Sequence, residues 1–257
     1  MSIARIWTVA ANGFREVIRD RIFYFVGFFA LLLAIALRLL PEVSIGTHEK
    51  IFLDLGLGAM SLLGAIVAIF VGTGLINKEI EKRTVLVLIP KPLSRAELIV
   101  GKHLGLSAVL TVMLTIMTGI YLALLTLSKI TYPLESILVS QLFLGIELAL
   151  LIAVAMLFGV FTSSILATLF SFGIYLMGHI SSNLLKLGAL SKNETVESIT
   201  QTIYLILPDL ERLNLKNQAV YGLLPSSGEL LSNALYGILY AAFLLSIAIL
   251  IFSRREF

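Results

Sequence analysis

The chain has 257 residues, 58% of them hydrophobic and only 14% charged, with a mean hydropathy of +1.00 and a formal net charge of +3. A soluble domain runs at about 45–50% apolar and about 25% charged, so this composition excludes an ordinary soluble enzyme, a disordered tail and a nucleic-acid-binding module. There is no cysteine, which removes disulfides, thiolate nucleophiles and Cys-ligated metals.

The N-terminal residues come first. Ile3, Ile6, Trp7, Ala10, Phe14, Val17 and Ile18 recur at helical spacing, with Arg5, Arg15 and Arg19 largely off that stripe. Residues 1–21 are therefore expected to form an amphipathic helix lying in the cytoplasmic interface. A plain cytoplasmic extension of the first span is the alternative. A signal peptide is not expected, because the apolar stretch begins late and no small-x-small cleavage site follows it.

Six apolar segments follow: Ile22–Leu40, Phe52–Ile76, His103–Leu127, Ser136–Phe161, Ser163–Leu184 and Leu231–Phe252. Each has about the length of a helix that crosses a bilayer. The fourth and fifth form one run that would measure about 75 Å as a single helix, more than twice the hydrocarbon thickness. It must fold back, and the polar break at Thr162, Ser163 and Ser164 is where a tight hairpin turn is expected. Arg5, Arg15, Arg19, Arg21, Lys78, Lys82, Arg83, Lys91, Arg95, Lys102, Arg254 and Arg255 fall on one side of these spans. Lys50, Lys129, Lys186, Lys192, Arg212 and Lys216 fall on the other. The bias places both termini in the cytoplasm. Residues 1–257 are thus expected to be a single all-α transmembrane domain of six helices.

The cytoplasmic segment 77–102 is more than a connector. Lys78, Glu79, Glu81, Lys82 and Arg83 alternate in sign, and the apolar run Val85–Ile89 is stopped by Pro90 and Pro92, which fit no helix interior. Ser94 and Glu97 have capping-box spacing and should start a new helix running into the third span. Apolar surface facing the cytoplasm, as in Val85, Leu86, Leu88 and Ile89, marks a contact with a partner protein or with the membrane. Folding back onto the chain's own bundle or the headgroups is the other possibility.

The extracytoplasmic segment, residues 185–230, carries the apolar stretch Ile199–Leu207, then Pro208-Asp209, then Leu210, Leu213, Leu215, Val220, Leu223 and Leu224. One or two short amphipathic helices packed on the outer mouth of the bundle are expected. Asn193-Glu194-Thr195 fits a glycosylation sequon, a pattern common by chance that matters only in a eukaryotic secretory membrane.

Inside the membrane, Glu147 sits near the middle of the fourth span, where a carboxylate costs at least about 2.5–3.5 kcal/mol. It is a candidate for the substrate path, weighed against a structural hydrogen bond to a neighbouring helix. His179 is expected at a different depth, as a packed interface residue. Asp54 is placed at the start of the second span, where a helix N-terminus suits an acid. Gly56, Gly58, Gly64, Gly72 and Gly74 along that span should allow close helix packing. His48, His103 and His179 lack metal-ligand spacing, so no metal site is expected. No P-loop, nucleophile elbow or zincin helix is present either. No catalytic residue is therefore assigned, and the chain is not expected to be an enzyme.

The stretch Glu79-Ile80-Glu81-Lys82-Arg83-Thr84, then Pro92-Leu93-Ser94-Arg95, then Gly101-Lys102 resembles the cytoplasmic segment of type-2 ABC transporter permeases. Arg83 stands where the family usually has glycine. The layout of six spans and the Arg254-Arg255-Glu256-Phe257 ending fit the same family. The resemblance implies an ATP-driven transporter, an exporter by family precedent, in a multi-pass prokaryotic plasma membrane. Two permease copies would pair in the lipid and form the substrate path, each docking a separate ABC ATP-binding subunit that holds ATP and Mg. Glu79, Glu81, Lys82, Arg83, Thr84, Val85, Leu86, Leu88 and Ile89 would form the coupling contact, and Thr162, Ser163 and Ser164 a second, smaller one. The alternative is an ion- or proton-coupled secondary transporter using Glu147; such proteins often show related halves, and no internal repeat is visible here.

Overall fold

A chain that crosses lipid must satisfy its backbone groups internally, and long apolar runs do so as helices. The computed structural model describes residues 2–19, 22–43, 47–81, 94–191 and 193–254, and all its regular structure is helical. In order these are α1 (Ile3–Arg19), α2 (Ile22–Val43), α3 (His48–Glu81), α4 (Arg95–Leu127), α5 (Leu134–Phe161) and α6 (Ser164–Leu190). They are followed by α7 (Glu194–Ile206), a 3-10 turn (Leu210–Leu213), α8 (Lys216–Tyr221) and α9 (Ser227–Arg254). Among the described residues six helices, α2 to α6 and α9, are long and apolar enough to span a membrane, in agreement with the six expected segments.

Two boundaries differ from expectation. α3 starts at His48, so Asp54 lies in its second turn rather than at its start, and it runs on to Glu81. Its 34 residues make it about 51 Å long, so it overhangs a hydrocarbon core of about 30 Å. Residues 77–81 therefore belong to a helix, and residues 82–93 lie outside the description. α6 likewise continues to Leu190, past the expected end at Leu184.

α5 is the central post: 72% of its span is buried, against 22% for α2 and for α6. Lipid tails are as apolar as leucine, so close packing rather than the hydrophobic effect holds such helices together. Small residues permit it. A Cβ on Gly64 would lie 2.7 Å from Leu148 Cδ1, and one on Gly72 would lie 2.9 Å from Ala155 Cβ, so α3 and α5 pack along this seam. Gly56 presses against the ring of Tyr121, whose hydroxyl donates to the Leu53 carbonyl at 2.9 Å and ties α4 to α3. Gly58 and Gly74 meet nothing within 4 Å, so only part of the expected glycine seam is used.

The hairpin turn between α5 and α6 occupies Thr162 and Ser163, as expected. The Thr162 backbone N–H and hydroxyl both donate to the Phe158 carbonyl, at 2.9 and 2.8 Å, which ends α5 abruptly. The outer segment divides differently from expectation. α7 lies along α6, with Thr200 against Gly188, but none of its residues is buried, and Ile199, Leu205 and Ile206 stay exposed. The burial comes after Pro208, where Leu210, Leu213, Leu215 and Ala219 enter the core. α8 ends at Gly222 with φ +69, a left-handed cap that glycine adopts without a Cβ clash.

Candidate functional site

The first turns of α4 carry the side chains that join the most helices. Ser94 and Glu97 form the expected capping box: Glu97 N–H donates to Ser94 Oγ at 3.1 Å, and Ser94 N–H donates to Glu97 Oε2 at 2.9 Å. The other oxygen, Oε1, accepts the Ser2 backbone N–H at 2.7 Å, while Arg5 Nη1 approaches Oε2 to 4.0 Å. One buried carboxylate thus faces the N-termini of both α1 and α4, where unpaired N–H groups and the helix dipoles favour negative charge.

Arg95 works at the opposite kind of terminus. Its Nη1 donates to the carbonyls of Phe252 and Ser253 at 2.6 and 2.7 Å, the last turn of α9, where orphan carbonyls accept from a cation. Lys102 Nζ donates to the Leu75 carbonyl of α3 at 3.2 Å. His103 Nε2–H donates to the Ala149 carbonyl of α5 at 2.9 Å. Gly101 and Gly105 bring α1 onto α4, since a Cβ on Gly101 would lie 2.7 Å from Val9 Cβ and one on Gly105 would lie 2.5 Å from the Ala10 carbonyl oxygen. Within ten residues, α4 holds α1, α3, α5 and α9 at one end of the bundle.

This clamp splits the apolar stripe expected on α1. Ala10 and Val17 are buried, whereas Ile3 and Trp7 remain exposed. α1 is therefore docked on α4 and still presents an apolar edge.

The clamp adjoins the expected coupling segment. Lys82, Arg83, Thr84, Val85, Leu86, Leu88, Ile89 and Pro92 lie outside the described residues; Glu79 and Glu81 belong to the last turn of α3, and their side chains are outside the description too. The Thr162–Ser164 turn lies at the same end. Just inside it, Thr73 of α3 and Thr168 of α6 meet hydroxyl to hydroxyl at 3.0 Å, and Gly72 packs on α5. Ser163 is exposed and its side chain caps nothing.

Deeper in the bundle the expectation for Glu147 needs correcting. Its Oε1 lies 3.4 Å from His179 Nε2, so the two residues share one depth. The hairpin explains why: Glu147 precedes the turn at Thr162 by fifteen residues and His179 follows Ser163 by sixteen. Counting outward from the turn in both directions would have found the pair. Neither Oε1 nor Nε2 has a hydrogen-bond partner. His179 Nδ1 lies 3.0 Å from the Tyr175 carbonyl, and the Tyr175 ring packs edge-on against the imidazole.

Above this pair sits a cap, residues 208–222, whose organising residue, Asp209, was not expected. Asp209 N–H donates to the Tyr236 hydroxyl at 2.8 Å, and its Oδ2 accepts from Tyr204 and from Arg212 Nε, both at 3.1 Å. Arg212 Nη2 in turn donates to the Tyr204 hydroxyl at 2.9 Å. Tyr204, Asp209 and Arg212 sit close in the chain, so the pairing of Asp209 with Arg212 was within reach of sequence inspection; Tyr236 was not. A cavity of about 830 Å³ opens between α4, α5 and α9, with Ser107, Thr111, Thr115 and Thr118 along one face of α4.

Among known protein families, the model described as ABC-2 family transporter protein matches residues 7–257. No curated protein matches the chain.

Proposed function

The chain belongs to the ABC-2 transporter family, and from that premise we propose that it works as a homodimeric exporter permease driven through the segment that precedes its α4 clamp. Family membership makes the chain a multi-pass permease subunit of an ABC transporter, working with an ATP-binding partner. In the proposed cycle that partner holds ATP and Mg and carries out hydrolysis; this chain contributes no catalytic residue. Two copies pair in a prokaryotic plasma membrane and enclose the substrate path. Glu79, Glu81 and residues 82–89 form the main contact with the ATPase, and Thr162–Ser164 a smaller one.

The observation that supports this reading is the clamp. A push delivered to the 82–93 segment arrives at Ser94, and Arg95, Glu97, Lys102 and His103 carry it to α9, α1, α3 and α5 through charge-assisted or buried hydrogen bonds. Because each of these partners is a whole helix, the response is a rigid tilt rather than a local rearrangement. The test is purification of the tagged full-length chain from native membranes in mild detergent. A stoichiometric soluble ATPase in a two-plus-two complex is the expected result, and a homo-oligomer without ATPase would overturn the reading.

A further inference from the structure

We propose that Glu147 and His179 form a binding site for a single proton, and that its occupancy holds the 208–222 cap against the bundle. The argument begins with the tautomer. A carbonyl oxygen only accepts, so His179 Nδ1, 3.0 Å from the Tyr175 carbonyl, carries a hydrogen. That leaves Nε2 as a lone pair unless a further proton is bound. Nε2 faces Glu147 Oε1 at 3.4 Å, both atoms are buried, and neither has a hydrogen-bond partner.

One proton between the two atoms satisfies both, whichever of them carries it: Glu147 O–H donates to Nε2, or Nε2–H donates to the carboxylate. Removing that proton to water leaves a carboxylate lone pair facing an imidazole lone pair in a region of low dielectric, and the contact becomes repulsive. The pair is therefore bistable in charge, with one state that binds α5 to α6 and one that separates them.

The neighbours of the two residues connect this to the cap. Gly178, next to His179, is so close to the cap that an added Cβ would lie 2.8 Å from both Leu210 Cγ and the Pro208 carbonyl oxygen. Ile146, next to Glu147, packs at Gly237 beside Leu213. The ionisable groups acting on the pair are Lys216 of α8, Glu211 and Asp209 around the 3-10 turn, and Tyr175 of α6. Three of the four belong to the cap. Loss of the proton pushes α6 from α5, draws Gly178 from under Leu210, and loosens the cap on that side, away from its bond to Tyr236 on α9.

The test uses the full chain in lipid nanodiscs without any ATPase, so its outcome is independent of the transporter reading. Hydrogen exchange in 208–222, corrected for intrinsic rates, is followed between about pH 5 and pH 9. In the wild type, protection of the cap falls at least about tenfold as pH rises, the scale of one buried hydrogen bond to a charged group. Glu147→Gln replaces the titrating oxygen with an amide that donates to Nε2 at every pH, so its cap stays protected throughout. A wild-type cap indifferent to pH, or a Glu147→Gln cap that loosens like the wild type, overturns the proposal. A second readout needs no variant: the ¹⁵N spectrum of the histidines must show His179 Nδ1 bearing hydrogen across the range, and a bare Nδ1 overturns it equally.

Discussion

Glu97 Oε1 accepts the backbone N–H of Ser2 at 2.7 Å, across 95 residues of sequence, while its other oxygen closes the capping box of α4. Two helices that belong to different parts of the chain thus start from one carboxylate. The arrangement predicts a graded response. Glu97→Gln keeps one acceptor oxygen and loses the charge that the two helix N-termini favour; Glu97→Ala loses the acceptors of both the Ser2 and the Ser94 N–H and leaves only the Ser94 side-chain cap. Thermal midpoints in detergent should fall in the order wild type, Gln, Ala, and equal midpoints for the three would show that the cap contributes nothing.

Gly105 tests the docking of α1 separately from that carboxylate. A valine there would drive its branched Cβ into the Ala10 carbonyl, and overpacking of this kind costs about 1–3 kcal/mol. Trp7 is the sole tryptophan and lies on α1, so its fluorescence reports the helix directly. In Gly105→Val the anisotropy of Trp7 should drop as α1 leaves α4. An unchanged anisotropy would mean that α1 is held by the membrane alone.

The coupling segment is tested by charge. Replacing Leu86 and Leu88 together with Asp puts two carboxylates into a contact whose energy is expected from buried apolar area. Co-purification of the ATPase should be lost, at least a hundredfold in apparent affinity (two side chains at about 1.5–3 kcal/mol each), while membrane insertion is kept. Retained ATPase would move the coupling contact elsewhere, the Thr162–Ser164 turn being the next candidate.

What was legible in the sequence was what is local or periodic. The six spans follow from apolar length, the α4 start from the spacing of Ser94 and Glu97, and the hairpin from a single polar break in a run too long to be one helix. The rest depends on which helix lies beside which. Nothing near Glu97 points to Ser2, and nothing near Arg95 points to Phe252, because those partners are brought together only by the bundle. Glu147 and His179 fall between the two cases, since the position of the turn already contained their common depth. α7 shows the reverse error: its apolar residues suggested burial, but a helix lying along the edge of the bundle has no second surface to cover them.

The two-residue turn between α5 and α6 has a consequence for how the protein is made. With no loop to spare, the two helices cannot enter the bilayer one after the other and drift together later; they must be released from the insertion machinery as a pair. Their apolar stretches are unequal, with a mean hydropathy of 2.5 for the most apolar 18 residues of α5 and 1.4 for Ser164–Ser181 of α6. The strongly apolar arm carries the weaker one in, and α6 brings His179 to the acidic side chain that α5 would otherwise leave bare in lipid. Separating the arms with an inserted linker should therefore appear first as a defect in biogenesis, with α6 left outside the membrane, before any defect in transport could be measured.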